Sequence, residues 1–121
     1  MIKEKFKDEI IDYGKSNGSI PTEFEIQVCK CGNKLFQMYS DDTEGGCSIV
    51  CSKCSESISI EDSADYMEDT AQNTCICESE ELEVMVGKSF YADSNDTKFV
   101  YVGGMCPKCE LAGVYVDWIE R

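Results

Sequence analysis

The sequence predicts a mostly β chain. Two consecutive small units of short antiparallel strands follow one N-terminal amphipathic helix. Three observations carry this. The cysteines fall in an ordered pattern that occurs twice. Short runs with partial apolar alternation flank the cysteine pairs. The first sixteen residues instead space their apolar side chains by three and four.

The helix comes first, within residues 1–20. Ile2, Phe6, Ile10 and Tyr13 fall near one face of residues 2–16, and Asn17-Gly18 and Pro21 are plausible terminators. Such a stripe suits a helix that packs on a neighbouring sheet. It also suits one that binds a partner or a second copy.

The first unit spans residues 21–62. Cys29-Lys30-Cys31 is followed, after nineteen residues, by Cys51-Ser52-Lys53-Cys54. Between the pairs, residues 32–39 read as an extended stretch, residues 40–46 as polar turn chemistry, and Ser48-Ile49-Val50 as a strand leading into the second pair. Ser57-Ile58-Ser59-Ile60 leaves it as a third strand, and the unit ends on acids. Residues 63–72 continue that acidic stretch and read as a linker.

The second unit, residues 73–121, repeats the order. Cys75-Ile76-Cys77 is followed, after twenty-eight residues, by Cys106-Pro107-Lys108-Cys109. Its strands are residues 82–86, 98–102 and 113–119, and Asp93-Ser94-Asn95-Asp96-Thr97 forms the hairpin turn. Aromatic residues concentrate here: Phe90, Tyr91, Phe99, Tyr101, Tyr115 and Trp118. Phe99 and Tyr101 share a strand face. Tyr115 is out of phase with Val114 and Val116, so core packing and an exposed patch are both open readings.

The doubled pattern has a chemical meaning. A tight turn aims two sulfurs at one ion, and a second pair completes a tetrahedron. The N-terminal MIKEKFKDEIIDYG lacks the apolar run of a secretory signal, and no stretch is long enough to span a bilayer. The expected location is therefore cytoplasmic, where disulfides are rare. Nine cysteines also leave one over in any full disulfide scheme. These points favour metal, with ligands Cys29, Cys31, Cys51 and Cys54 in one site and Cys75, Cys77, Cys106 and Cys109 in the other. Two zinc ions per chain are expected; four thiolates also suit an iron–sulfur centre. Cys47 stands outside the pattern, as a small buried apolar residue, a substitute ligand or a redox-sensitive thiol. Gly103-Gly104 reads as backbone room near the metal.

Taken together, the paired cysteines and the strand–hairpin–strand order resemble the zinc-ribbon family, over residues 26–60 and 73–119. The resemblance implies short antiparallel sheets pinned by metal at one end. The first turn of each unit is C-x-C where the commoner ribbon turn is C-x-x-C. Cys106-Pro107-Lys108-Cys109 matches that commoner form, with Glu110 where Gly is usual.

Function classes narrow by chemistry and charge. The chain has no His, so no His-based triad or proton shuttle exists, and four sulfurs per site leave no open position for water. A non-enzymatic protein is expected, with no small-molecule substrate and no membrane partner. Acids outnumber bases 24 to 11, for a formal charge of −13. That surface repels nucleic-acid phosphates and suits a basic protein. The expected contact acids are Glu78, Glu80, Glu81 and Glu83, just after the second C-x-C turn, with Asp93 and Asp96 on the hairpin loop. Size and charge fit a bacterial toxin-immunity protein that inhibits a nuclease. The alternatives are an accessory ribbon of the transcription or translation machinery and a purely structural metal-bound module. Units that are merely consecutive also predict independence: losing Cys109 should cost the second unit its structure and largely spare the first.

Overall fold

The computed structural model describes the chain except for residues 1, 42, 43, 62, 64–66, 68, 69, 120 and 121, and except for the side chains of residues 2 and 3. Half of the expected acidic linker, two residues of the first hairpin turn and the Ile2 side chain thus lie outside the described residues.

Among the described residues one α-helix precedes eight strands. These are α1 (Ile2–Ser16), β1 (Glu23–Ile26), β2 (Phe36–Asp41), β3 (Gly46–Cys51), β4 (Ser57–Ser59), β5 (Ala71–Asn73), β6 (Glu83–Phe90), β7 (Thr97–Met105) and β8 (Ala112–Ile119). The mostly β class and the two ribbon-like hairpins agree with the sequence reading.

Helix α1 stops for a reason written in its last residues. Gly18 takes the left-handed conformation (φ +77°). The Ser19 N–H then reaches the Gly14 carbonyl at 2.9 Å, and the Gly18 N–H reaches that of Lys15 at 3.2 Å. This is the Schellman arrangement, which satisfies carbonyls the helix leaves open. Asn17 Nδ2 donates to the Tyr101 hydroxyl (3.2 Å), which donates to the Ser19 carbonyl (2.7 Å). The cap is thereby fastened to β7. Phe6 and Ile10 pack on Met85, Tyr101 and Met105, so the helix lies on the sheet of the second unit.

That contact corrects the reading of Gly103-Gly104. A Cβ on Gly103 would come within 2.7 Å of Ile10 Cδ1 and 2.9 Å of Phe6 Cε1; one on Gly104 would come within 2.6 Å of the Tyr115 ring. The room these glycines leave is filled by the helix and by Tyr115.

The sheets hold the main departure from a simple tandem. One has the order β1-β6-β7-β8 and the other β4-β3-β2-β5. Strand β1, which leads into the first C-x-C turn, pairs with β6 of the second unit. Strand β5, which leads into the second C-x-C turn, pairs with β2 of the first. The exchange is reciprocal to the residue. Cys75 follows Cys29 by 46 positions. The same shift carries Gln27, whose N–H bonds the Val84 carbonyl, onto Asn73, the register partner of Met38. At the centre Phe36 and Leu82, also 46 apart, bond each other's backbone in both directions at 2.9 and 2.8 Å. The two halves are thus related by a local two-fold through this pair.

Alternation sets what lies inside. Phe36, Met38, Cys47 and Ile49 from one sheet meet Leu82, Val84, Val86, Val100, Val102, Val116 and Trp118 from the other in a single core. The register shift between Val102 and Gly103 leaves Tyr115 as an extra residue opposite β7. This bulge resolves the phase conflict on β8: Val114 packs toward the helix, while Tyr115 and Val116 both pack on the inter-sheet core.

Candidate metal centres

Each centre is assembled from two turns at one end of a hairpin. In the first, the Cys29 N–H bonds the Asn33 carbonyl (2.9 Å) and the Gly32 N–H bonds the Cys29 carbonyl (2.8 Å). In the second, the Cys75 N–H bonds Ser79 (3.0 Å) and the Glu78 N–H bonds Cys75 (2.8 Å). Gly32 and Glu78 both have positive φ, +89° and +74°. The two C-x-C turns are therefore one backbone used twice.

The C-x-x-C turns repeat as closely. The Ser55 N–H bonds the Cys51 carbonyl and the Glu110 N–H that of Cys106, both at 2.9 Å. Ser55 and Glu110 are left-handed, with φ +65° and +62°. Glu110 thus adopts the conformation for which glycine is usual.

These turns bring the eight expected sulfurs into two groups: Cys29, Cys31, Cys51 and Cys54, and Cys75, Cys77, Cys106 and Cys109. Within each group the ligand atoms lie within 4.8 Å of one another. Sulfur pairs stand 3.3 Å (Cys29–Cys54), 3.6 Å (Cys31–Cys51), 3.3 Å (Cys75–Cys109) and 3.5 Å (Cys77–Cys106) apart. A disulfide requires about 2.05 Å. Four thiolates at about 2.3 Å from one central ion stand about 3.8 Å apart at the tetrahedron's edges. The donor set and its spacing fit one metal ion per group.

The electrostatics point the same way. Burial opposes ionisation of Cys51, yet the Asn33 amide (3.3 Å) and the Cys54 and Lys53 N–H groups (3.5 and 3.4 Å) hold its thiol down at about 6. Burial likewise opposes ionisation of Cys106, and the Cys109 and Lys108 N–H groups hold it down at about 6. At Cys29 the Cys31 backbone favours the thiolate. Burial and the crowding sulfurs of Cys54, Cys51 and Cys31 outweigh it and push the thiol up to about 12. Cys75 is pushed up to about 12 in the same way, by burial and by Cys109, Cys77 and Cys106 against the Cys77 backbone. Four sulfurs this close cannot all ionise without a cation among them, and a divalent ion removes that conflict.

Two neighbours of the centres were not picked out by sequence spacing. Asn33 donates from Nδ2 to the Leu35 carbonyl (2.8 Å), to Ser52 Oγ (3.2 Å) and toward Cys51 Sγ, tying both turns of the first centre together. Its only sequence signal is its place just after C-x-C-G. Tyr115 lies beside the second centre: burial first, then the Cys75 and Cys106 sulfurs, raise its phenol. Cys47 is fully buried and belongs to neither group. It stands four residues before Cys51 on β3, about 13 Å along the strand.

The expected contact acids divide in two. Glu78, Glu80, Glu81 and Glu83 lie between the second C-x-C turn and the start of β6, and all but the half-buried Glu83 are exposed. Asp93 and Asp96 lie on the loop beyond the other end of β6, about 25 Å away along eight strand residues. Glu80 accepts a bond from Gln72 (3.1 Å), and Glu81 one from Ser52 (3.2 Å). Among the described residues no helix is long and apolar enough to cross a membrane.

No protein-family model matches the chain, and no curated protein or solved structure is significantly similar to it, so the chemistry of the centres rests on their own geometry.

Proposed function

We propose that this chain is a zinc protein whose two four-cysteine centres are structural, and that it acts by binding another protein. The observation that carries the reading is the closure of both sites. Each group offers four cysteine sulfurs, enough to fill every position of a tetrahedral ion, whereas a catalytic zinc keeps one open. Zinc is favoured over an iron–sulfur cluster because sulfurs within 4.8 Å of one another suit a single tetrahedral ion. The centres would hold the exchanged strands in place, since binding energy at such sites becomes folding energy.

The partner reading rests on charge. Each filled centre carries about −2 when its thiols are deprotonated, which adds to a formal charge of −13. A basic protein is the complementary class, and inhibition of a basic nuclease in the manner of a toxin-immunity protein is its most specific form. An accessory role in transcription or translation is the alternative.

Elemental analysis of protein purified without added metal tests the first part. Two zinc ions per chain are expected, and stoichiometric iron would overturn it. Affinity capture from the native cells tests the second. A basic nuclease supports the immunity role, a polymerase or ribosome the alternative, and preferential retention of bare nucleic acid at physiological salt overturns both.

A further inference from the structure

The two centres share a backbone but differ at their tips. In the first, Lys30 lies between the two cysteines of the C-x-C turn and pairs with Glu56 at 3.8 Å. Residue 76 is its counterpart by the shift of 46, and residue 111 follows Cys106 as Glu56 follows Cys51. These are Ile76, 88% exposed, and Leu111, 45% exposed. An ion pair in one copy is an exposed apolar pair in the other. Ile76 and Leu111 border a groove with Thr74, Gly113, Val114 and Tyr115.

The groove runs beside an edge. Strand β8 is the last in its sheet, and no strand pairs with its outer side among the described residues. The other three edges are short, whereas the long β8 edge carries only its bulge at Tyr115. Strands β4 and β5 have three residues each, and β1 has four, with Glu23 and Glu25 exposed. Strand β8 has eight, and its first five, Ala-Gly-Val-Tyr-Val, hold neither charge nor proline. A Cβ on Gly113 would meet nothing within 4 Å, so the sheet face beside the groove is open there. A long, uncharged edge is a template for strand addition.

We propose that residues 112–116 of β8, with the groove between Ile76 and Leu111, accept an extended peptide segment of another protein, in which apolar residues alternate with lysine or arginine. The proposal rests on the protein-binding reading above and gives it a place. Main-chain bonds to β8 supply the pairing, and an apolar side chain of the peptide covers Ile76 and Leu111. Exposed Glu78, Glu80 and Glu110 adjoin these residues in sequence, against Lys108 alone, which selects basic flanks. A second copy of the chain is the poorer occupant, because it would bring two strongly acidic molecules together.

The test titrates the zinc-loaded full chain with a blocked seven-residue peptide of alternating lysine and valine. Amide shifts and hydrogen exchange are followed along the chain. Shifts at residues 76 and 111–116 are expected, with exchange slowed at least tenfold at some amides of residues 112–116. Methylating alternate peptide nitrogens should weaken binding at least tenfold, as should Ile76→Asp or Leu111→Glu. Both variants should keep two metal ions and the wild-type melting temperature. Absence of binding overturns the proposal. So do shifts confined to acidic residues remote from β8, although the general affinity for basic proteins then stands. Equal binding of a glutamate–valine peptide overturns the basic partner while leaving an accepting edge. Self-association through β8 in sedimentation experiments assigns the edge to a second copy and overturns the proposal as well.

Discussion

Around the first centre the chain is short and finished with charge; around the second it is long and finished with apolar side chains. The first hairpin joins strands of six residues, whereas the second joins strands of eight and nine. The added length gives α1 a platform: Tyr101 and Met105 on β7 with Met85 on β6. Among the described residues no α-helix lies on the first sheet, whose outer strands are stubs of three residues. A repeated metal turn therefore fixes the backbone of each unit, and hairpin length decides what else that unit can support. The units nevertheless share strands, because each lends the other the strand before its own C-x-C turn.

Removing metal should have the largest effect. Apparent binding energy at structural zinc sites is about 10–16 kcal/mol. Chelation is expected to abolish the β signal in circular dichroism for both units in one transition. Two separated transitions would show that the exchanged strands do not couple them.

Breaking one centre alone comes next. Cys109→Ser removes one thiolate from the second group, and the loss should pass through β6 to β1 and so to the first C-x-C turn. Competition with a chromophoric chelator should show the remaining centre at least tenfold weaker than in the wild type. This replaces the independence that consecutive units alone suggest. A first centre of unchanged affinity would restore it.

Acidification should affect both centres alike. In the metal-free protein, Cys29 and Cys75 keep their protons to about 12, so binding at neutral pH displaces at least one proton from each site. Affinity must therefore fall with pH, by about tenfold per pH unit for each proton displaced. Cys51 and Cys106, held at about 6, are already ionised at neutral pH and steepen the loss only below that value. Unequal release from the two centres on a pH titration would show that their hydrogen bonds differ more than their backbones do.

Packing gives a smaller, one-sided effect. Gly103→Ala places a methyl within 2.7 Å of Ile10 Cδ1, and overpacking of this kind costs about 1–3 kcal/mol. The melting temperature should fall and the amides of α1 should exchange faster, while both metal ions stay. The smallest change is a gain. Glu78→Gly puts glycine where the first unit already has Gly32, relieving a left-handed conformation and stabilising by about 0.5–1 kcal/mol. No gain in thermal denaturation would mean that the Glu78 side chain makes good the backbone cost.

Much of this was legible in the sequence, for local reasons. Cysteine spacing placed all eight sulfurs because two-residue turns are local objects. Alternation found β2, β3, β4, β6, β7 and β8, although residues 32–35, read as extended, belong to the turn that Asn33 closes. The exchange was not legible. Glu23-Phe24-Glu25-Ile26 alternates well enough to be a strand, but nothing in it says that its partner lies some sixty residues on. Ala71-Gln72-Asn73 has no strand signal at all; β2 makes it one by offering a free edge at the right height. The bulge at Tyr115 was visible only as a phase conflict. Its outcome depended on Gly104, which lets the ring lie against β7. The face of α1 was legible in Phe6 and Ile10. Tyr13 is 40% exposed, yet it sets its ring edge-on to Tyr101 and donates its hydroxyl to Asp117 at 2.8 Å, thus marking where the helix crosses β8.

The reciprocal strands also set a timetable for synthesis. All four ligands of the first centre have left the ribosome once residue 54 is out, so this centre can load while the second half is still being made. Its leading strand has no partner until residues 85–88 emerge, and β2 has none on its far side until residues 71–73 do. The nascent first half thus has its four ligands together with two strand edges open, and contacts this distant in sequence close late. During that interval the acids of residues 23–25 and of residues 61–69 are the groups at hand to keep neighbouring nascent chains apart.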